Sequence, residues 1–244
     1  MSAQSPTVLG IDTATATAAV AVTRGDELVD ERAAGPDPGG RPRHSAVLLE
    51  EVEGAVTAAG GWSEIGLIAV GVGPGTFTGL RIGIATARAL AQARNLPLAP
   101  VSSLAALARG IDGREPERPR LAAIDARREE TFAALHAPDG ATLWEPFVAA
   151  PGAVAERLST LALTPLAAGD GALRFREQLE AAGAKVLPEA DGAHLVAARH
   201  VCALAAQARP AQPEQVKPIY LRRPDAEVWR ERRQRDPGSD HRDG

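Results

Sequence analysis

The sequence predicts an α/β protein of two lobes, each opening with an antiparallel β-meander. An apolar strand ending in aspartate, a short polar turn and a second apolar strand occur around Asp12, and the same order occurs around Asp125 at a constant offset. Each copy then reaches a turn that holds a further aspartate, Asp26 or Asp139. Such a repeat indicates a duplicated unit, although any two β-meanders share part of this pattern.

The first lobe is predicted to comprise residues 1–108. Apolar runs mark its strands, apolar residues at three- and four-residue steps mark its helices, and glycine or proline marks their ends. The predicted elements are strands at 7–12, 18–23, 27–32, 65–73 and 98–101 and helices at 44–59 and 78–93.

The second lobe is predicted to comprise residues 109–222, after a charged, proline-bearing linker. The sequence leaves open whether its last helix packs on this lobe or back on the first. Residues 223–244 hold a basic cluster offset by aspartates and are expected to form a disordered tail. The predicted elements are strands at 121–125 and 131–136, short apolar runs at 163–168 and 185–187, and helices at 153–161, 172–182 and 194–207.

The composition is that of a packed soluble protein. Apolar residues make up 45% of the 244 residues and aromatic residues only 3%, so small residues, above all alanine, must fill much of the interior. A single cysteine, Cys202, excludes a disulfide scaffold and is expected to be buried. Without a signal-peptide pattern or membrane-spanning window, we expect a cytoplasmic protein that contacts no membrane. With a net charge of −4, nucleic-acid binding would require a local basic patch.

A glycine-rich loop between a predicted strand and a predicted helix is the main candidate for a functional site. Glycines let the backbone approach a ligand, and the start of a helix directs free N–H groups at an anion. A plain strand-to-helix turn has the same spacing, so both interpretations stay open. The candidate residues are Gly73, Gly75, Thr76, Thr78, Gly79 and Arg81.

Three residues of this loop carry specific expectations. Thr76 or Thr78 is expected to cap the helix while offering a hydroxyl. Arg81 lies in the first helical turn, where the helix dipole disfavours a cation; a nearby anion or acidic residue would remove that penalty, and the alternative is that Arg81 reaches into water. The loop is not a Walker A motif, because Leu-Arg follows its last glycine, and no acidic residue in 98–103 supports a dinucleotide fold.

Asp12, which precedes Thr13, and Asp125 each end an apolar strand. Aspartates at such places orient a metal-bound phosphate in two-lobed nucleotide-binding proteins, but aspartate at a strand end also caps a turn. Because no glycine closely follows Asp12 to admit a phosphate, we favour the turn-capping role. The sequence shows no spacing typical of a metal site or an activated nucleophile, so it offers no catalytic residue and no metal ligand.

Four segments together resemble the signature segments of the TsaB (YeaZ) family. They lie in the family's order and span nearly the whole chain, and the second is the most specific. The resemblance implies an actin-like ATPase fold, related to ribonuclease H, with two duplicated lobes. The segments are GIDTAT at 10–15, GPGTFTGLRIG at 73–83, AIDAR at 123–127 and PIYLR at 218–222.

The resemblance also implies a non-catalytic subunit in the formation of N6-threonylcarbamoyladenosine at position 37 of tRNAs that decode ANN codons. In this family the partner is the transferase TsaD, which forms a heterodimer with TsaB, and the ATPase TsaE joins them. The tRNA is then reached through the complex, ATP is used by the complex, and no cofactor is expected on this chain alone. A homodimer is the alternative when the chain is isolated.

The related catalytic subunit carries a His-x-x-x-His metal pair after the helix that follows its glycine loop. Ser103 and Leu107 take those places here, so the chain resembles the non-catalytic member. Peptidase activity, which older descriptions give to such proteins, is not expected. The alternative hypothesis is an active nucleotide-dependent phosphotransferase of the same fold, with Asp12 anchoring a metal and residues 73–79 holding phosphates.

The resemblance further implies that the helices of the first lobe, 45–59 and 78–93, form the interface with TsaD. Some of their apolar residues must instead face the core of the lobe. The candidate interface residues are Leu48, Leu49, Val52, Val56, Ile82, Ala85 and Leu90.

Overall fold

The computed structural model describes residues 6–161 and 163–222 and contains two five-stranded mixed sheets. The expected disordered tail, 223–244, lies outside the described residues. The first sheet contains β1 (Thr7–Asp12), β2 (Ala18–Arg24), β3 (Glu27–Ala34), β4 (Leu67–Gly71) and β5 (Leu98–Val101). The second contains β6 (Arg120–Arg127), β7 (Glu130–His136), β8 (Thr142–Ala149), β9 (Leu166–Ala168) and β10 (Lys185–Val186).

The two sheets have the same topology. Their strand orders are β3-β2-β1-β4-β5 and β8-β7-β6-β9-β10. In each, the first two strands of the lobe pair antiparallel and the first also pairs parallel with the fourth. The predicted duplication is thus confirmed, and the fold is the actin-like arrangement of two related lobes. The boundary between residues 108 and 109 stays a prediction.

The helices form layers outside and between the sheets. They are α1 (His44–Ala58), α2 (Phe77–Arg94), α3 (Ser103–Arg109), α4 (Pro151–Ser159), α5 (Asp170–Arg174), α6 (Arg176–Ala181) and α7 (Ala198–Ala205). α1 and α2 pack on the outer face of the first sheet, and α4 and α6 on the outer face of the second. α3 and α7 share one core between the sheets. Within the described residues, none of these helices is long and apolar enough to cross a bilayer.

Side-chain size differs between the two faces of the first sheet. Leu9 and Ile11 of β1 point towards the outer helices, whereas Ala19 and Ala21 of β2 face the core between the lobes. Gly10 lies against α7. Small residues on the inner face let α7 approach the sheet closely, which explains how a chain with few aromatic residues fills its interior. The predicted burial of the cysteine is also confirmed.

α3 was not among the elements predicted from the sequence. Ser102 caps it, because its Oγ accepts the Ala105 N–H at 3.3 Å. Leu104 and Leu107 are fully buried in the core between the sheets. Packing against the second sheet, rather than a long local pattern, therefore accounts for this helix.

Two helices predicted in the second lobe differ from the structure: one is divided in two, and the other starts later. Phe175 divides the predicted helix at 172–182 into α5 and α6, because its backbone leaves helical geometry (φ −110°, ψ 28°) while its ring is buried. The predicted helix at 194–207 starts later, as α7, because Leu195 is extended (φ −97°, ψ 140°). α7 packs against β1 and β2, so the last helix lies on the first lobe.

We predict that Gly10→Ala lowers the free energy of unfolding by about 1–3 kcal/mol. The added Cβ would lie 2.6 Å from Cys202 Sγ and 2.7 Å from Ala198 O, so α7 has to move. Urea unfolding followed by circular dichroism measures the change. Gly35→Ala is the control, because a Cβ there meets nothing within 4 Å. Equal losses in both variants would contradict the close packing of α7.

Candidate functional site between the lobes

The glycine loop, residues 73–79, joins β4 to α2 and lies against the chain that follows β1. Thr76 N–H donates a hydrogen bond to Ala14 O at 2.8 Å. A Cβ on Gly75 would lie 2.6 Å from Ala14 Cβ. The glycine therefore makes room for the neighbouring chain segment, and the space beside it is already filled.

The second half of the loop, around Gly79, also packs against the chain that follows β1. Thr13 Oγ1 donates to Gly79 O at 2.8 Å, and a Cβ on Gly79 would overlap Thr13 O. One turn later in α2, a Cβ on Gly83 would overlap Thr13 Oγ1. Close approach of the protein's own backbone thus accounts for these glycines, as it would in a structural strand-to-helix turn.

Asp12 links three segments of the first lobe. It is 1% exposed, and its Oδ2 accepts a hydrogen bond from Ser103 Oγ at 2.6 Å while its Oδ1 accepts the Ala14 N–H at 2.8 Å. Ser103 Oγ in turn accepts the Gly73 N–H at 3.2 Å. The carboxyl group therefore connects the end of β1, the start of α3 and the glycine loop. Burial raises the pKa of Asp12 to about 6, although both hydrogen bonds lower it.

Asp125 takes the corresponding place in the second lobe. Its Oδ1 accepts the Arg127 N–H at 2.8 Å, the same contact with the residue two positions on that Asp12 makes with Ala14. Arg174 Nη1 lies 3.1 and 3.0 Å from the two carboxylate oxygens of Asp125. Both aspartates thus cap turns, and the second is also neutralised by an arginine.

The turn between β6 and β7 has an unusual backbone. Arg127, Arg128 and Glu129 all have left-handed φ values, of 62°, 52° and 58°. Hairpin turns that need positive φ at both central residues favour Asn-Gly, and the left-handed region costs other residues about 1–2 kcal/mol each. Backbone strain of this kind concentrates at functional sites. We name residues 127–129 the strained turn.

Thr76 and Arg81 make contacts other than a capping hydrogen bond and an acidic pair. Thr76 is the N-cap of α2, but its side chain makes no capping hydrogen bond. Among the described residues Arg81 pairs with no carboxylate: its Nε donates to Tyr220 Oη at 3.1 Å, and its guanidinium carbon lies 3.8 Å from the centre of the Phe77 ring. The π face of an aromatic ring attracts a cation, so these aromatic contacts favour the guanidinium at this position.

Residues 216–222, named the strap here, connect the two lobes. On the first lobe, Ile219 N–H donates to Val72 O at 2.8 Å. On the second, Arg222 Nη1 donates to Ala126 O at 3.0 Å, and the Arg222 guanidinium pairs with Glu130. The strap therefore holds the two lobes together at the mouth of the cleft.

A cavity of about 390 Å³ lies between the lobes. Its walls are the glycine loop, the strained turn, Phe132 of β7 and the strap. Of the predicted site residues, Gly75, Thr76, Thr78 and Asp125 line it. The others do not line this cavity; they are Asp12, Thr13, Gly73, Gly79 and Arg81.

Three candidate interface residues are buried in the core of the first lobe. They have 1–2% of their surface exposed, so they are not available to a partner, because packing on the sheet uses this face of α1. These three are Leu48, Val52 and Val56. Ile82 and Leu90 are half-buried against the same core. Leu49, 63% exposed, and Ala85 remain on the surface.

Some residues of the site were not identified from the sequence. The sequence indicates Ser103 only as the place of a lost metal ligand, and it carries no signal for Arg174. Tyr220 lay in a segment of the family resemblance, which was the available clue. Within residues 6–161 and 163–222, no group of three or more His, Cys, Asp or Glu side chains is arranged to hold a metal ion.

Comparisons with known proteins agree with the motifs. Residues 39–186 match the family model described as TsaD: tRNA N6-adenosine threonylcarbamoyltransferase. The tRNA threonylcarbamoyladenosine biosynthesis protein TsaB of Escherichia coli is 31% identical over 88% of this chain and 94% of its own length. The chain belongs to the TsaB (YeaZ) family. The protein of the same name from Haemophilus influenzae is 33% identical over 53% of each chain.

Solved structures support the same family. YeaZ from Pseudomonas aeruginosa superimposes with a TM-score of 0.72 at 26% identity, covering 88% of this chain and all of the other. Another P. aeruginosa structure, described as an uncharacterized protein with similarity to peptidase YEAZ, gives the same TM-score at 29% identity over 89% of this chain and all of the other.

In this TsaB-family chain, Ser103 and Leu107, the two places that the resemblance matches to the metal pair of the catalytic subunit, make other contacts. Ser103 is buried and hydrogen-bonded to Asp12. Leu107 is fully buried in the core between the sheets. An aliphatic side chain cannot bind a metal ion, and the serine hydroxyl already donates a hydrogen bond to the Asp12 carboxyl group.

We predict that the stability of the wild-type protein relative to Asp12→Asn falls as pH rises from about 4 to 6. Burial lowers the pKa of His200 to about 4, which changes stability in the opposite direction in both proteins, so the difference between them isolates Asp12. The folded protein keeps the Asp12 proton in this window, whereas the unfolded chain, near the ordinary value of 3.8, has released it. A difference of about two pKa units corresponds to about 3 kcal/mol, present below pH 4 and lost above pH 6. Urea unfolding at a series of pH values measures it.

Asp26→Asn, on the exposed turn between β2 and β3, is the matched control and leaves the pH profile unchanged. At pH 8, Asp12→Asn is expected to be more stable than the wild-type protein, since no charge is buried. An unchanged pH profile in Asp12→Asn would contradict the burial of this carboxyl group as the cause.

Proposed function

We propose that this chain is a non-catalytic partner subunit of a tRNA threonylcarbamoyltransferase complex. It supports a TsaD-type subunit that forms N6-threonylcarbamoyladenosine at position 37 of ANN-decoding tRNAs, and a TsaE-type ATPase joins the two. Membership of the TsaB family supports involvement in threonylcarbamoyladenosine biosynthesis. The chain itself contributes neither a catalytic residue nor a bound cofactor.

The observation that carries the non-catalytic role is the filled glycine loop. Gly75 and Gly79 abut Ala14 and Thr13, so close packing of the protein's own chain already accounts for these glycines without a phosphate. Asp12, the residue that would anchor a metal, is buried and hydrogen-bonded within the first lobe. These features support a site that has lost nucleotide chemistry while its fold is kept.

We expect co-expression with the TsaD-type protein of the same organism to yield a complex, and tRNA modification to depend on both chains. Mass spectrometry of digested tRNA measures the modified nucleoside, with each protein omitted in turn. The isolated chain is expected neither to hydrolyse ATP nor to modify tRNA. Turnover by this chain alone would contradict the proposal.

The proposed partner surface is the exposed side of α1 and α2. We predict that Leu49→Asp weakens association with the TsaD-type protein about tenfold or more, because it places a charge where an exposed apolar residue would be buried. Leu143→Asp, on β8 of the other lobe, is the control: Leu143 is 46% exposed against 63% for Leu49. Isothermal titration calorimetry measures the affinity of each variant for the TsaD-type protein. Equal losses of affinity in both variants, or no loss for Leu49→Asp, would place the interface elsewhere.

The same surface is also the candidate for self-association. Sedimentation of the isolated chain measures its oligomeric state.

A second candidate, a nucleotide-dependent phosphotransferase, is favoured by one observation. The cavity between the lobes touches both the glycine loop and Asp125. Magnesium-ATP bound there would raise the Tm by several degrees at saturating concentration. The absence of such a shift is the expected result for the scaffold, and a shift together with ATP turnover would favour the enzyme.

A further inference from the structure

We propose that Tyr220 is a positioning residue, through which the strap holds two exposed side chains at the start of α2, Phe77 and Arg81, in the arrangement that a protein partner meets. The inference rests on the proposed function, because it concerns the exposed side of α2, where a TsaD-type protein is proposed to bind. Tyr220 lies 139 positions after Arg81 in the sequence, so this arrangement exists only in the folded chain.

The start of α2 belongs to the same exposed side as the proposed partner surface. Phe77 is 36% exposed. Arg81 and Ala85 are exposed at the next two turns. Residues four positions apart lie on one face of a helix, so these three side chains form one row. Aromatic and arginine side chains contribute much of the affinity of many protein interfaces, so the geometry of this row matters for association.

The helix itself provides little that would hold the Arg81 guanidinium in place. The first turn of α2 contains no acidic residue, and the Thr76 side chain makes no capping hydrogen bond. The dipole of a helix disfavours a cation in its first turn. A long side chain in this situation would adopt many rotamers in water. A fixed position of Arg81 therefore requires contacts from outside the helix.

Tyr220 supplies such a contact. Its Oη accepts a hydrogen bond from Arg81 Nε at 3.1 Å. The ring centres of Tyr220 and Phe77 lie 5.2 Å apart, and the guanidinium carbon of Arg81 lies 3.8 Å from the Phe77 ring centre. Aromatic pairs and cation–aromatic pairs are both favourable contacts. Each of the three side chains thus contacts the other two, which limits the rotamers of all three.

The strap is attached to the protein on both sides of Tyr220. Directly before it, Ile219 N–H donates to Val72 O at 2.8 Å, at the end of the first lobe's central strand. Two residues after it, Arg222 Nη1 donates to Ala126 O of the second lobe at 3.0 Å. Tyr220 is therefore held between contacts to both lobes, and the second lobe is linked to the helix that is proposed to bind the partner.

A positioning role predicts a particular kinetic effect. If Phe77 and Arg81 were free to adopt other rotamers, only the fraction of molecules in the right arrangement could associate productively. The dissociation rate would change little, because the contacts in the formed complex stay the same. Loss of a residue that touches the partner directly would instead mainly raise the dissociation rate. The two rates therefore distinguish positioning from direct contact.

We expect Tyr220→Leu to lower the association rate with the TsaD-type protein about tenfold and to change the dissociation rate by less than about twofold. Tyr220→Phe keeps the ring contact and loses the hydrogen bond, so it is expected to recover part of the rate. Ile219→Ala is the matched control, because Ile219 is 38% exposed against 39% for Tyr220 and its backbone hydrogen bond is kept. Surface plasmon resonance with the full chain measures both rates.

The position of Arg81 is measured on the isolated chain by NMR of arginine side chains. We expect the Arg81 Nε proton to exchange with water about tenfold faster in Tyr220→Leu than in the wild-type chain, because the hydrogen bond that protects it is removed. Loss of one signal in Arg81→Lys identifies it. Arg222→Ala, which releases the strap from the second lobe, is also expected to speed this exchange. Equal exchange in the wild-type chain and Tyr220→Leu would overturn the inference.

The rates separate this inference from the proposed function. An increased dissociation rate with an unchanged association rate in Tyr220→Leu would make Tyr220 a direct contact, so the inference would fail while the function stands. Unchanged rates in Tyr220→Leu, or equal falls in association rate for Tyr220→Leu and Ile219→Ala, would also overturn it. If the wild-type chain binds no TsaD-type protein, the proposed function fails, and the exchange of the Arg81 proton still decides whether Tyr220 holds this side chain.

Discussion

The contact between the glycine loop and the chain following β1 determines what the cleft can do. Gly75 lies against Ala14, and Gly79 lies against Thr13 with a hydrogen bond between them. Both glycines serve close packing, so the loop keeps its shape without a ligand. Asp12 links the same junction from inside, through hydrogen bonds that reach Ala14 and the start of α3. Packing within the protein is therefore sufficient to hold a loop of this sequence type in place.

The two duplicated lobes contain the same local contact, a strand-end aspartate that accepts a hydrogen bond from the backbone N–H two residues further on. Each lobe ends its first strand with an aspartate that caps the following turn. In the first lobe this aspartate is buried among neutral groups, which raises its pKa, whereas in the second Asp125 is paired with Arg174. The strap and the core around α3 and α7 then join the lobes into one body. Contacts that join the lobes in this way fit the proposed partner subunit, whereas a kinase-like enzyme closes its lobes around a substrate.

Sequence patterns were sufficient for the first hairpin of each lobe, the repeat and the position of the glycine loop between a strand and a helix, because each depends on neighbouring residues; the strand β8 was not predicted. They were insufficient where distant contacts decide the structure. α3 is defined by burial against the other lobe, and the helix at 172–182 is broken so that Phe175 can be buried. The bond from Ser103 to Asp12 joins residues 91 positions apart, and no local pattern encodes it. The aromatic partner of Arg81 was hidden for the same reason, since Tyr220 lies 139 positions away.

The central claim is that the two strand-end aspartates support structure and take no part in catalysis. The most direct test is the rate of tRNA threonylcarbamoylation by the reconstituted complex that contains Asp12→Asn and Asp125→Asn together, compared at equal amounts of assembled complex. The account predicts an unchanged rate per complex, because the amide groups keep the turn contacts and no reacting atom is lost. A large fall in rate in a complex that still assembles would contradict this account and would indicate that these carboxylates take part in catalysis.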